Sequence, residues 1–194
     1  MIVKVCGVTN FDDAVMVRDA GADIVGFVFD RRSPRYASYS ALVETAESGI
    51  EVAAVYTDAD SVFRSDMLED FIQLHFPHDQ DLIDYVHGQG RKVISVIRYG
   101  IDDLEEKYRE YHSADIILVE RKPRISDIIS DHAFDGKRLG FAGGIGIDDV
   151  DLVIRRDPVM IDVSSSLEAD RGKKDADKVR RFFSAIGDLH ESDR

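Results

Sequence analysis

Cysteine is scarce in this chain: Cys6 is the single one among 194 residues. An internal disulfide is therefore excluded, and such sparse use of cysteine is typical of proteins from a reducing compartment. Long apolar runs are missing as well, because none approaches the roughly 20 residues that a membrane-spanning helix needs. The first residues also lack the basic and apolar blocks of a signal peptide. These absences favour a cytoplasmic protein with no membrane partner.

Basic residues are outnumbered, with 25 Lys and Arg against 38 Asp and Glu and a formal net charge of −13 at pH 7. A surface of this sign repels phosphate backbones, so we expect no nucleic-acid partner. An anionic small molecule can bind only where arginines, lysines or backbone amides reverse the field within one cleft.

Short apolar runs alternate with longer amphipathic segments from one end of the chain to the other. The runs are rich in Val and Ile, as is typical of parallel strands buried on both faces. They cover residues 2–6, 23–29, 51–56, 70–75, 92–97, 115–120, 138–143 and 158–163. Several of the segments between them begin at Asn, Ser or Asp and end at Gly, which are helix start and stop signals.

Eight strand–helix units predict a compact, single-domain (β/α)8 barrel over residues 1–194. A doubly wound open sheet is the alternative. The third and sixth helices, expected within residues 61–69 and 124–134, have the weakest patterns. No linker or low-complexity tract indicates a second domain, and residues 190–194 are expected to be a frayed tail.

A barrel of this kind has its active site at the carboxyl ends of the strands. Strand one ends at Cys6, which shares one face of the extended chain with Lys4. Val3 and Val5 suit the face that packs on helices, so Lys4 and Cys6 should face the barrel interior. Asp162 of strand eight should lie beside them. The pattern leaves open whether Cys6 is a small buried hydrophobic residue or a catalytic residue.

Arginines cluster after strand two, in the stretch DRRSPRY at residues 30–36. One interpretation is a solvated loop held by ion pairs. The other is a carboxylate clamp, since a guanidinium binds a carboxylate through two parallel hydrogen bonds.

Small residues follow strands seven and eight, at Gly143-Gly144 and Ser164-Ser165. The glycines let backbone amides approach an anion, and the helix after them would offer its N-terminal dipole. Each pattern alone is also typical of an ordinary turn. Together they occupy the two loops in which barrels commonly bind phosphate, and they predict a phosphate site there.

Motifs from both ends and the middle of the chain resemble one family, the phosphoribosylanthranilate isomerases of tryptophan biosynthesis. The similar stretches are VKVCGVTN at 3–10, GADIVGFVF at 21–29, SPRY at 33–36, QLH at 73–75, AGGI at 142–145 and DVSSSLEADRGKKD at 162–175. The resemblance implies an intramolecular aldose–ketose isomerisation (an Amadori rearrangement) that uses no cofactor and no metal. It also implies a substrate carrying phosphate and carboxylate groups, and a monomer or a homodimer.

In the family, an acid protonates the ring oxygen of N-(5'-phosphoribosyl)anthranilate and a base removes a proton from the adjacent sugar carbon. The product is 1-(2-carboxyphenylamino)-1-deoxyribulose 5-phosphate. The motif match places the base on Cys6, the arginine that binds the anthranilate carboxylate on Arg35, and an active-site aspartate on Asp162. We expect Lys4 to favour the Cys6 thiolate, with Asp162 partly cancelling its field.

Strand six departs from the family, which has an acidic aspartate at its end. Aligning the apolar strand puts Glu120 at that position, whereas counting back from Pro123 puts Val119 there. We expect Glu120 to be the acid, with a pKa raised by burial or by Asp162. The family's glycine-rich loop after this acid is missing, and Ser166 stands where the family usually has glycine.

Other functional interpretations follow from these departures. One is a catalytically degenerate barrel that binds a phosphosugar or a partner protein, and another is a sister phosphosugar barrel. His75, His78 and Asp79 could suggest a metal site, but the implied reaction needs none, and we assign them structural or solvated roles.

Overall fold

A computed structural model of the chain describes residues 1–192, in which eight parallel strands close into one barrel. The strands, β1 to β8 in chain order, are Ile2–Val8, Ile24–Val28, Val52–Tyr56, Phe71–Leu74, Lys92–Arg98, Ile116–Glu120, Gly140–Ala142 and Met160–Val163. β8 pairs with β1, with Asp162 opposite Lys4, and so closes the sheet. The predicted (β/α)8 barrel is confirmed, and the open-sheet alternative is wrong.

Helices surround the strands. They are α1 to α7 in chain order: Phe11–Ala20, Tyr39–Glu47, Ala59–Phe63, Gln80–Gly88, Leu104–Glu110, Val150–Ile154 and Ala176–Ser192. Asn10, Asp58, Asp79 and Asp103 cap four of them, because each side chain accepts a hydrogen bond from a first-turn backbone amide. None of the helices in residues 1–192 has the length and apolar character that a membrane crossing requires. Of the expected frayed tail, residues 193–194 lie outside the described part of the chain.

The expected sixth helix is replaced by two 3-10 turns, Ile125–Asp127 and His132–Phe134. Ser and Asp side chains are frequent in this segment, and such side chains compete with a helix by bonding to nearby backbone groups. Asp131 does so at the second turn, where its carboxylate accepts from the Ala133 amide. The weak pattern at the third helix corresponds to the five residues of α3.

Alternation along the strands divides the core into two layers. Val3, Val5 and Val119 pack in the layer between barrel and helices. The barrel interior is filled by another set of apolar side chains, from Ile24, Ala53, Phe71, Ile94, Val96, Ile116, Leu118, Ala142 and Met160. Toward the carboxyl ends of the strands, polar and ionisable side chains replace these apolar ones, and a cavity opens there.

An antiparallel hairpin follows β8 and was not predicted. Its strands are β9, Glu168–Asp170, and β10, Lys173–Lys174. Gly172 turns the hairpin with a φ of +81°. A side chain at Gly172 would meet Thr9 and the carbonyl oxygen of Pro34, so glycine lets the hairpin pack against the loops after β1 and β2.

Candidate active site

A cavity of about 430 Å³ lies at the carboxyl ends of the strands. Its volume is typical of sites for small molecules. Its wall includes every residue predicted for the site, namely Cys6, Arg35, Glu120, Gly143, Gly144, Asp162, Ser164 and Ser165. The fold therefore brings together groups that lie far apart in the sequence.

Cys6 lies beside a buried ion pair. Lys4 is fully buried, and its Nζ lies 3.0 Å from each carboxylate oxygen of Asp162, as the alternation along β1 predicted. Gly26 lies opposite Cys6 on β2. A side chain at Gly26 would approach Lys4 Nζ to 2.9 Å and Cys6 Sγ to 3.1 Å, so this glycine makes room for both groups.

The electrostatics of the thiol differ from the expectation. Burial raises the pKa of Cys6, Lys4 lowers it, and Asp162 raises it, with a net increase above the ordinary value. Lys4 itself lowers the pKa of Cys6, as predicted, but burial and Asp162 together outweigh it.

Glu120 ends β6 with its side chain toward the cavity, whereas Val119 is fully buried in the layer behind the barrel. Glu120 Oε2 lies 3.2 Å from His75 Nε2, and Oε1 lies 3.4 Å from Lys122 Nζ. Burial would raise the pKa of Glu120, but His75 and Lys122 outweigh burial and lower the pKa below its usual value. The expected rise of this pKa is therefore wrong, because two potential cations face the carboxylate.

His75 thus lines the cavity and contacts Glu120, where the sequence predicted only a structural or solvated role. The alternation along β4 could have indicated this, since His75 follows the strand directly and Gln73 also lines the cavity. His78 is structural: its Nε2 lies 2.8 Å from Ser95 Oγ and its ring stacks on Tyr111.

Arg35 reaches the cavity from the loop after β2. Its Nε and Nη2 each donate a 2.7 Å hydrogen bond to Glu168. Sequence reasoning missed Glu168 because 133 positions separate the partners. The two neighbouring arginines make contacts elsewhere: Arg32 forms an ion pair with Asp30, and Arg31 lies over the ring of Tyr36.

The two predicted phosphate loops are adjacent. Gly143 and Gly144 have φ angles of +112° and +61°, and a side chain at either would collide with a backbone carbonyl of the loop after β6. Ser166 Oγ donates to the Ile145 carbonyl across the two loops. The expected helix dipole is not at this site, because α6 begins only at Val150 and has five residues.

Within residues 1–192 there is no group of three His, Cys, Asp or Glu side chains that could hold a metal ion. The cavity instead combines a thiol, a carboxylate paired with an imidazole, a guanidinium and two turns of small residues. A closed barrel with such groups at the carboxyl ends of its strands defines the class of (β/α)8-barrel enzymes.

Comparison with known proteins identifies the family within this class. The family model for N-(5'-phosphoribosyl)anthranilate (PRA) isomerase matches residues 3–185. An N-(5'-phosphoribosyl)anthranilate isomerase of Thermoplasma volcanium is 51% identical over 189 residues, which cover 97% of each chain. The chain belongs to the phosphoribosylanthranilate isomerase family.

Solved structures of this family superpose closely on the chain. One, of monomers generated from the dimeric isomerase of Thermotoga maritima, has a TM-score of 0.82 at 26% identity and covers 97% of this chain and all of its own. Another is an isomerase in complex with reduced 1-(o-carboxyphenylamino)-1-deoxyribulose 5-phosphate. It has a TM-score of 0.78 at 25% identity and covers 96% of this chain and all of its own.

Proposed function

We propose that the chain converts N-(5'-phosphoribosyl)anthranilate to 1-(2-carboxyphenylamino)-1-deoxyribulose 5-phosphate by general acid and base catalysis, within tryptophan biosynthesis. The observation that carries this proposal is one cavity, in a barrel of this family, that contains Cys6, Glu120 and Arg35 together with both phosphate loops. The related isomerase in complex with a reduced form of this product supports the choice of substrate.

The substrate would lie across the cavity with its two anionic ends apart. Its phosphate would lie over the turns at Gly143-Gly144 and Ser164-Ser165, where glycine backbone can approach an anion closely. Its anthranilate carboxylate would accept hydrogen bonds from Arg35. Lys122 lines the same wall, in the loop that replaces the family's glycine-rich loop, and would add positive charge there.

Glu120 would start the reaction by protonating the ring oxygen of the ribose. The lowered pKa of Glu120 makes an ionised carboxylate the resting form, so a proton must reach it first. His75 is the neighbour that can supply it, since transfer along the 3.2 Å contact leaves a neutral imidazole and a neutral carboxylic acid. Delivery of that proton opens the ring, the oxygen becomes the sugar's C4 hydroxyl, and the nitrogen and C1 form an iminium ion.

Cys6 would complete the rearrangement. The iminium ion makes the hydrogen on C2 acidic, and the Cys6 thiolate removes it as a proton while C1 and C2 form the double bond of an enolamine. C1 then gains a proton and the C2 hydroxyl loses one, which gives the ketone. No external oxidant or reductant is consumed, because C1 is reduced as C2 is oxidised.

Loss of substrate fluorescence, after the purified chain is added to freshly prepared phosphoribosylanthranilate, tests this function. A second test is growth of a tryptophan auxotroph that lacks the isomerase. A barrel that binds phosphosugars without catalysis would bind the substrate, leave its fluorescence unchanged and fail to restore growth.

We also propose that the chain works in the cytoplasm, where its free thiol stays reduced. A solved relative is described as dimeric and has been made monomeric. By that likeness we propose a monomer or a homodimer, and sedimentation of the purified chain distinguishes the two.

A further inference from the structure

Arg35 belongs to a network of three charged side chains, and the other two, Glu168 and Lys174, take no part in the catalytic steps. Glu168 accepts two hydrogen bonds from Arg35 and a third, of 3.2 Å, from Lys174 Nζ. The side chain of Glu168 is 5% exposed and that of Lys174 is fully buried. Both belong to the hairpin after β8, and neither lines the cavity.

Lys174 connects this network to the carboxyl ends of β1 and β8. Besides Glu168, its Nζ donates to the carbonyl oxygens of Cys6, at 2.7 Å, and Ser164, at 3.2 Å. Three acceptors use all three hydrogens of an ammonium group, whereas a neutral amine has only two. These contacts favour the charged ammonium form, although burial lowers the pKa of Lys174 because Glu168 offsets only part of the desolvation.

Glycine at position 7 lets Arg35 reach this network. The φ of Gly7 is +72°, and a side chain there would approach Arg35 Cδ to 2.4 Å and Ser164 Oγ to 3.0 Å. The stem of Arg35 therefore crosses directly over the irregularity in β1 that follows Cys6. Ser33 Oγ accepts from the Arg35 backbone amide and orders the turn on the other side.

The charges in the network do not cancel. Arg35 and Lys174 carry two positive charges and Glu168 one negative charge, so one positive charge remains unbalanced. Arg35 lines the cavity and Lys174 does not. Glu168 uses Nε and one hydrogen of Nη2, which leaves both hydrogens of Nη1 and the other hydrogen of Nη2 for a second anion.

We propose that Glu168 and Lys174 are positioning residues for recognition of the substrate carboxylate. Glu168 fixes the orientation of the Arg35 guanidinium, and Lys174 balances the charge of Glu168 so that Arg35 keeps its attraction for a second carboxylate. The inference rests on the proposed function, because it assigns the anthranilate carboxylate to Arg35.

The test compares two substrates within each variant: phosphoribosylanthranilate and the analogue made from aniline, which lacks the carboxylate. The ratio of their kcat/KM values isolates carboxylate recognition, since a general distortion of the barrel slows both substrates. Holding a flexible side chain in its bound geometry is typically worth a few-fold to about tenfold in affinity. We therefore expect Glu168→Gln to lower the ratio by about 3- to 10-fold, mainly through KM of the carboxylated substrate.

Lys174→Met should lower the ratio as well, because Glu168 then balances Arg35. Lys174→Arg keeps the charge and should retain a ratio closer to that of the parent. The control is Asp102→Asn, since Asp102 accepts from Nε and Nη2 of Arg98 in the same side-on geometry at the end of β5 but does not line the cavity. Its ratio should equal that of the parent.

Four results would overturn the inference. An unchanged ratio in Glu168→Gln would show that Arg35 needs no support, and a higher ratio would show that Glu168 only competes with the substrate. Equal ratios in Lys174→Met and Lys174→Arg would remove the role of the Lys174 charge. If the parent itself does not prefer the carboxylated substrate, the proposed role of Arg35 fails first, and the inference fails with it. If Lys174→Met does not fold, the kcat/KM ratio of Glu168→Gln alone tests the inference.

Discussion

Replacement of Glu120 by glutamine tests how the reaction obtains its proton. The amide keeps the size of the side chain and can still bond to His75, but it carries no acidic proton. General acid catalysis typically contributes a factor of 10² to 10⁴. We therefore expect kcat of Glu120→Gln to fall by about that factor, which corresponds to roughly 3–5 kcal/mol of activation free energy. Glu120→Asp should retain part of the activity.

The pH profile of kcat checks the same role. A group that donates a proton is active only while it holds one, so the parent rate should fall on the alkaline side as Glu120 loses its proton. That limb should be absent in Glu120→Gln.

The lowered pKa of Glu120 also makes the stability of the fold depend on pH. The ionised Glu120 carboxylate stabilises the fold fully at pH values above the pKa of an unfolded glutamate, and this contribution is lost as the pH falls through the folded-state pKa of Glu120.

Val119→Ala is the matched control on the same strand. Val119 is fully buried away from the cavity, so its truncation should cost about 1–3 kcal/mol of unfolding free energy. Its kcat should stay near that of the parent. If Glu120→Gln were as fast as the parent, or if Val119→Ala lost activity while remaining folded, the assignment of the acid to Glu120 would be refuted.

Three further predictions concern the thiol, the arginine and the phosphate loops of the cavity. Cys6→Ser should fold normally and lower kcat at least about 100-fold, because a serine hydroxyl does not supply the anion that a thiol can. A near-normal kcat in Cys6→Ser would contradict this. Arg35→Ala should raise KM about 10- to 100-fold at nearly constant kcat, from loss of a charge-assisted hydrogen bond worth about 1.5–3 kcal/mol; a fall confined to kcat would contradict the clamp. Inorganic phosphate should inhibit competitively, and more weakly in Gly144→Ala, since the new side chain would approach the Pro123 carbonyl oxygen to 2.5 Å; equal inhibition of both proteins would place the phosphate elsewhere.

Much of the site could be predicted because a closed barrel places the carboxyl ends of all its strands next to one another. Alternation along β1 put Lys4 and Cys6 on one face, and closure put Asp162 beside Lys4. The same alternation separates Glu120 from Val119 on β6. These features depend only on strand period and barrel closure, which the apolar runs encode directly.

Other features depend on tertiary contacts that leave no local pattern. Glu168, the partner of Arg35, lies in a hairpin whose strands have only three and two residues. Strands this short show no alternation of apolar and polar residues that could predict them. The pKa of Cys6 is raised chiefly by burial, and the pKa of Glu120 is lowered because His75 and Lys122 outweigh burial, so neither balance could be read from the sequence. His75 was overlooked because a histidine just after a strand is equally compatible with a solvated position.

The central claim is that this chain catalyses the isomerisation with Cys6 as the base. The most direct measurement follows phosphoribosylanthranilate fluorescence with the purified parent and Cys6→Ser, and identifies the product by chromatography and mass. We expect rapid loss of fluorescence with the parent, a product of unchanged mass that contains a ketone, and a rate at least about 100-fold lower in Cys6→Ser. No loss beyond spontaneous decay with the parent, or equal rates in the two proteins, would contradict the account.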